Sequence, residues 1–251
     1  LSEEVGESRW FEHEPAHRAG SMCLGQQLGN WRISVDDGVR STVAVDHRGA
    51  RRFGNPGLTV HVDGEPPLRR FILDAVEAAR DEGIDVRALR CRIEHCSILH
   101  DEQIARMKDL GVSASFLIGH VHYWGVAMRD EVFGEEKAQL LDRCKSVEDA
   151  GVGFTLHSDF MVTDPDPLHM IEMAVTRRTW KEPDHVLAPN ESISVESAIR
   201  AVTYEAAWQL YSEHEVGSLE KGKLADLVIL DQDPRRVDPD SIKEIKVLET
   251  W

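Results

Sequence analysis

Residues 91–118, CRIEHCSILHDEQIARMKDLGVSASFLI, decide how the chain folds. The opening residues end a strand that is expected to run from Val86 to His95. A helix is expected from about Asp101 to Leu110, closed by Gly111. Val112 to Ile118 reads as the next strand. A strand, a helix and a second strand in succession imply parallel pairing with a right-handed crossover.

The same pattern extends both ways. Upstream, Leu58-Thr-Val-His61 is a short β-branched run after Pro56-Gly57. Pro66-Pro67 then open a helix with Leu68, Phe71, Ile72, Ala75, Val76 and Ala79 on one face, and Gly83 closes it. Downstream, a helix from about Glu135 to Ala150 ends at Gly151. Val152 to His157 is a fourth strand, and a helix over Pro167–Arg178 lies behind it. Four strand–helix units are half of an eight-stranded barrel, which takes ~250 residues for all eight. An open doubly wound sheet is the other arrangement of such units. No G-x-G-x-x-G follows a strand, so a dinucleotide site is disfavoured.

Ser194 to Tyr211 reads as one amphipathic helix, with Ser194 as N-cap and Ile199, Val202, Ala206 and Leu210 along a stripe. Beyond it lie two short strands, Leu227–Leu230 and Ile245–Leu248, in a small β element. The expected fold is therefore α/β, with three parts. Residues 1–56 are poorly patterned, and only Trp31–Val35 and Thr42–Val45 resemble strands. Residues 57–212 form a partial barrel, and 213–251 form the β element.

The 251 residues are 41% hydrophobic, a globular composition, and no apolar run approaches a membrane span. The N-terminus has neither a basic nor an apolar region of the kind a signal peptide needs, and it lacks an initiator Met, which points to sequence upstream. A net charge of −16 repels phosphate backbones and anionic lipid, so nucleic acid and membrane are disfavoured as partners. The four cysteines, Cys23, Cys91, Cys96 and Cys144, form no C-x-x-C pair. A reducing cytoplasm is the simplest compartment for them.

Candidate chemistry follows from where the polar residues fall. His61 ends the first strand, His95 the second, and Asp159 follows the fourth. Residues at the C-terminal ends of barrel strands meet at one mouth. Imidazole and carboxylate are ligands for zinc and similar divalent metals, and an Asp beside a metal can act as general base. Each residue taken alone has a plainer reading, as a hydrogen-bonding strand-end His or a turn-forming Asp; the joint pattern favours metal. Cys91, Ile93 and His95 are expected on one strand face, with Arg92 and Glu94 on the other. His120-Val-His122 is the one H-x-H in the sequence, and alternation would put both rings on one strand face in a chelating arrangement. His120, His122, Tyr123 and Trp124 are read as lining the substrate pocket, with a packed surface loop as the alternative. His157 is assigned to packing or to a supporting place behind the ligands.

These motifs resemble the amidohydrolase superfamily, in particular the YtcJ-like amidohydrolases of amidohydrolase family 3. The matching stretches are Arg92-Ile-Glu-His95, Leu156-His-Ser-Asp159, Asp166-Pro-Leu168, Ala174-Val-Thr-Arg177, the helix from Ser194 to Leu210, and Gly217-Ser-Leu-Glu-Lys-Gly-Lys-Leu-Ala-Asp-Leu-Val-Ile-Leu-Asp231. The resemblance covers about Leu58 to Trp251. It implies a (β/α)8 barrel with a β-sandwich built from both chain ends, one or two divalent metals, usually zinc, and hydrolysis of C–N bonds other than peptide bonds. His61 and His95 match the metal histidines of the fifth and sixth strands, and Asp159 matches the metal-linked general acid/base of the eighth. The H-x-H of the family's first strand has no counterpart here, nor does its fourth-strand Lys, and His61-Val-Asp-Gly-Glu65 carries Glu where the family has Asp. The expectation is a C-terminal half of a metal-dependent hydrolase acting on a small molecule. A non-catalytic half-barrel, and a decarboxylase or deaminase on the same scaffold, are the alternatives. Open strand edges would lead such a half to associate with itself or with a missing N-terminal half.

Overall fold

The computed structural model of the protein describes residues Thr59–His61 and Pro66–Trp251. The 1–56 segment, with its two expected strands, lies outside the described residues. Four strands, β1 (Thr59–His61), β2 (Arg92–His95), β3 (Ser113–Leu117) and β4 (Phe154–His157), pair in parallel in the order β1-β2-β3-β4. Between and after them run α1 (Pro66–Asp81), α2 (Asp101–Leu110), α3 (Glu135–Ala138), α4 (Cys144–Ala150) and α5 (Pro167–Thr176). The strand order follows the sequence without the reversal that a doubly wound sheet requires. Right-handed crossovers in sequential order put successive helices on one side.

The two faces of this sheet differ sharply in polarity. Ile93, Ala114, Phe116, Phe154 and Leu156 share one core with Leu73 and Val76 of α1, Ile104 and Met107 of α2, Val147 of α4 and Ile171 of α5. Phe116 and Phe154 meet edge to face across β3 and β4. The opposite face carries Arg92, Glu94, Ser113, Ser115, Thr155 and His157, because strand side chains alternate. Most of these polar groups are buried, and buried polar groups need partners. The tail of the helical region supplies one.

That tail is two helices instead of the single one expected. Ser194 caps α6 (Val195–Val202) by accepting from Ser197 N–H, as its position in the sequence predicts. The chain then bends at Thr203 (φ −123°, ψ −92°) before α7 (Tyr204–Gln209). The bend delivers Gln209 under the sheet. Its amide nitrogen donates to Ser113 Oγ at 3.0 Å and Ala114 O at 2.9 Å, and its oxygen accepts from Thr155 Oγ1 at 2.9 Å.

Two further expectations are corrected. β2 spans four residues, not ten, because residues 86–90 turn. Arg90 is the reason: with φ of +44° it stacks 4.5 Å from both Trp208 and Tyr211 and donates to Glu213 through two nitrogens. The helix expected over 135–150 is interrupted between α3 and α4, where Asp142 has a φ of +43°. The expected closing glycines do their work: Gly111 (φ +71°) and Gly151 (φ +70°) take the left-handed conformation after α2 and α4.

At the C-terminus, β5 (Val228–Leu230) and β6 (Val247–Thr250) pair antiparallel with each other. The 3-10 turn Pro239–Glu244 between them docks on α5, burying Ile242 and tying Lys243 Nζ to Glu172 Oε1 at 2.7 Å. Among the described residues no helix is long and apolar enough to cross a membrane.

The Arg90–Glu213 pair yields a pH-dependent prediction. Hydrogen bonds from Arg90 hold the Glu213 carboxyl below its ordinary 4.5, against the opposing pull of burial. A lowered folded value contributes stability above pH 4.5 that is lost as pH falls through the folded value. Glu213→Gln should therefore cost about 1 kcal/mol at pH 7, discounted for partial exposure. Urea unfolding should show this cost fading below pH 4.5, where the wild-type carboxyl itself protonates.

Candidate metal and substrate site

All four parallel strands release their C-terminal residues at the same end of the sheet. His61 ends β1, opposite Glu94 in register; its side chain lies outside the described residues. His95 ends β2 with a φ of +63°, and Cys96 follows at +51°. This left-handed pair breaks the strand alternation. Instead of following Ile93 and Cys91 toward the helices, the His95 ring packs edge-on against His157, with centroids 5.1 Å apart. It also lies 6.1 Å from the ring of His120. Asp159 sits two residues beyond β4, half-buried, with a φ of +47°.

His157 lies beside His95 at the strand ends. Burial pushes its imidazole down to about 4, with the Glu94 carboxylate opposing and His95 adding to the shift. The ring is therefore neutral at pH 7, and its buried Nε2 has no hydrogen-bond partner among the described residues. Glu94, at its inner flank, stays ionised more readily than usual. Burial alone would raise its value, but the Arg92 charge and the Ser115 hydroxyl outweigh that and lower it.

The H-x-H segment is a helical turn, not a strand. His120–Trp124 forms a single π-type turn, a form frequent at functional sites. Residues two apart on a helix lie roughly half a turn from each other. The two histidines accordingly part company, and the expected chelating pair does not form. His120 is buried, with Nδ1 at 3.4 Å from Ser97 Oγ and 3.8 Å from Asp142 Oδ1. Trp124 flanks it with ring centroids 6.0 Å apart. His122 instead turns to the Arg178 carbonyl, 2.9 Å from Nδ1, and to the His169 ring at 5.0 Å. Burial lowers the pKa of both His122 and His169. Tyr123 lies between the groups, 4.8 Å from His122 and 5.7 Å from Trp124. Gly119, just before the turn, allows the loop after Asp159 to come close. A Cβ there would meet Thr163 Cγ2 at 2.9 Å, and Thr163 Oγ1 in turn donates to Ser158 O at 2.7 Å.

The sequence reading missed Asp142, Ser97 and Arg177. Asp142 is fully buried, as is Arg177, whose guanidinium donates to the carbonyls of Leu187, Asp142 and Leu141. The available signal was Asp142 itself: a carboxylate on the inward face of the helix expected over 135–150.

The donor types at the strand ends fit a divalent cation: two imidazoles and a carboxylate, with an unpartnered buried nitrogen on His157. Among the described residues, however, no three His, Cys, Asp or Glu side chains form a group that could hold a metal ion.

The family model described as "Amidohydrolase family" matches residues 50–251. The chain belongs to the amidohydrolase family. It is 34% identical over 199 residues to an N-substituted formamide deformylase of Arthrobacter pascens, covering 77% of this chain and 35% of that protein. It is 23% identical over 197 residues to the putative amidohydrolase YtcJ of Bacillus subtilis, covering 77% and 36%. Among solved structures, an uncharacterized metal-dependent hydrolase from Pyrococcus horikoshii OT3 superposes with a TM-score of 0.61 at 25% identity, covering 76% of this chain and 36% of that one. The chain spans about a third of the length of the curated relatives it matches. These relationships agree with the α/β fold and its parallel sheet.

The backbone at Asp159 gives a test that separates conformation from chemistry. Asn tolerates left-handed φ, whereas a β-branched residue there is an outlier. Asp159→Asn should leave thermal stability nearly unchanged, and Asp159→Val should lose about 1–2 kcal/mol. Equal losses in calorimetry would mean that the side chain, not the backbone, holds the loop.

Proposed function

We propose that this chain carries the strand-end ligands of a metal-dependent hydrolase acting on a C–N bond other than a peptide bond, in an amide, cyclic amide or N-acyl compound. The observation that supports this most is the meeting of His95, His120 and His157, with Asp159 next to them, at one end of a parallel sheet in an amidohydrolase. On this reading the four strands are part of a (β/α)8 barrel, and β5–β6 belong to a small β-sandwich. His61, His95 and Asp159 would hold a divalent cation, zinc first. When bound, such a cation polarises the substrate carbonyl and makes water acidic enough to attack near neutral pH.

The chain's own residues do the rest. Asp159 takes the proton of the attacking water and returns it to the leaving nitrogen. His157, kept neutral by burial, adds no positive charge beside the ligands. His120 and Trp124 line the substrate's approach, with Tyr123 and His122 beyond them. The related deformylase is named for N-substituted formamides, which makes a small N-acyl group a natural first substrate to try. The net charge of −16 favours a small molecule over nucleic acid or an anionic membrane as partner. Among the described residues nothing pairs with the outer edges of β1 and β4, so these edges are open to further strands or a second copy; light scattering giving a monomer alone would count against the copy.

Elemental analysis after dialysis tests the cation. Bound zinc should fall on His95→Ala, and a content near zero that this substitution leaves unchanged would remove the metal reading. Catalysis is tested in a protein spanning the full length of the relatives. There Asp159→Asn should lower kcat on N-acyl and cyclic amides by ~10²–10⁴ with the fold kept. Near wild-type turnover would reduce Asp159 to a turn residue.

A further inference from the structure

His120 is held from behind by a buried polar assembly that the proposed chemistry does not use. Its Nδ1 faces Ser97 Oγ at 3.4 Å and the Asp142 carboxylate at 3.8 Å. Asp142 has no solvent exposure, and Ser97 is buried as well. In so dry a setting a carboxylate acts on its neighbours with little screening.

The turn that carries Asp142 is itself fixed from several sides. The Asp142 N–H donates to Ser97 O at 2.9 Å, and Asp142 O accepts from Cys144 N–H at 2.8 Å. Asp142 O also accepts from Arg177 Nη1 at 3.0 Å, and the neighbouring Leu141 O accepts from Arg177 Nη2 at 2.7 Å. Residues Ile98 and Leu141 pair as an isolated antiparallel bridge alongside. Ser97 thus anchors both partners: its carbonyl holds the Asp142 backbone and its hydroxyl meets the His120 ring. The left-handed φ of +43° at Asp142 is met by a residue type that tolerates it. The carboxylate lies in the same buried region as the Arg177 guanidinium, and the His120 ring is the titratable side chain that its Oδ1 faces at 3.8 Å.

We infer that Asp142 is a positioning residue: it selects the His120 tautomer that carries its proton on Nδ1, and so leaves Nε2 as the nitrogen that faces the strand-end site. This rests on the reading of His120 as a substrate-contacting residue, but the tautomer itself does not. A buried carboxylate 3.8 Å away favours the tautomer whose proton sits on the nitrogen facing it, and Ser97 Oγ at 3.4 Å can accept from that N–H; the state of one ring nitrogen then decides what the other can do. In the neutral ring Nε2 is then a hydrogen-bond acceptor. The group it suits is an N–H, such as that of a secondary amide. With the opposite tautomer it would instead donate, and would suit a carbonyl oxygen. Asp142 in this way sets the polarity of one wall of the pocket without touching substrate.

The test is long-range 1H–15N NMR of the histidine rings in the chain as it stands, with His120 assigned by its loss in His120→Gln. The wild type should show His120 with a protonated Nδ1 and an unprotonated Nε2 as one dominant tautomer. Asp142→Asn, which keeps a residue tolerant of the left-handed turn, should lose that single-tautomer pattern. Ser97→Ala should retain it, because the charge and not the hydroxyl sets the bias. A wild-type His120 protonated on Nε2 overturns the inference, as does a pattern unchanged in Asp142→Asn or reversed in Ser97→Ala. Should Asp142→Asn fail to fold, the wild-type and Ser97→Ala spectra still decide. None of these readings involves turnover, so a protein without hydrolase activity can still support the inference, and an active one can still refute it.

Discussion

The polar face of the parallel sheet must be satisfied from inside the protein, and much of the architecture follows from that. Ser113, Ser115, Thr155 and Glu94 are all buried there. Left dry and unpaired, each such group would cost a few kcal/mol, roughly what a whole helix contact contributes. Gln209 answers three of the demands at once, donating to Ser113 Oγ and Ala114 O and accepting from Thr155 Oγ1. An amide is suited to this because it offers both donors and an acceptor. For Gln209 to reach the sheet, the helix that began at Ser194 has to bend at Thr203, and it does. Arg92 completes the arrangement, pairing with Glu94 on the same face. The polar interior is thus tied to the C-terminal helices through side chains, while the apolar face is tied to α1, α2, α4 and α5 by burial.

A second buried assembly stands behind the strand ends. Arg177 and Asp142 are wholly buried, and Glu191 is nearly so. Arg143 reaches Glu191 at 3.0 Å, and Glu191 also accepts from Ser146 N–H at 2.9 Å. Two cations and two carboxylates share one region, which is how buried charge is tolerated. Burial, the largest influence on Arg177, pulls its pKa down, and the nearby Cys144, Asp142 and Glu191 oppose it. Its three carbonyl contacts come from 141, 142 and 187, so one side chain joins the turn before α4 to the strand-like segment after α5. The consequence for the site is rigidity at the base of His120.

What could be read from the sequence is what depends on nearby residues. The ends of α2 and α4 follow from Gly111 and Gly151, and the start of α6 from Ser194. Asp166 caps α5 by accepting from Leu168 and His169 N–H, a local event as well. The strand-end placement of His61, His95 and Asp159 follows from the same periodicity. What escaped depends on distant partners. The stripe Ile199, Val202, Ala206 and Leu210 is continuous in sequence, yet Leu210 ends up 53% exposed because Gln209's bonds to β3 and β4 bend the helix. Val86–Arg90 has the composition of a strand, but Arg90 is drawn to Trp208, Tyr211 and Glu213, more than a hundred positions away. The H-x-H spacing promised a chelating pair only on an extended backbone, and the π-type turn removes that premise.

The left-handed residues show how the chain divides labour between glycine and other side chains. Positive φ costs an ordinary residue roughly 1–2 kcal/mol and costs glycine little. After α2 and α4 the turn needs no side chain, and glycine takes it. At 90 and 177 the chain accepts the cost with Arg, and each guanidinium then holds several partners that glycine could not. At 142 it accepts it with Asp, whose carboxylate lies 3.8 Å from His120 Nδ1. Ala188 is the exception, with no side-chain group to justify its φ of +50°. His95 and Asp159 also carry positive φ, at the ends of β2 and β4. Strain kept at a position whose side chain does little for packing is an argument for chemistry there. It applies more strongly to Asp159, which is half-exposed, than to His95, whose ring is enclosed by His157 and His120.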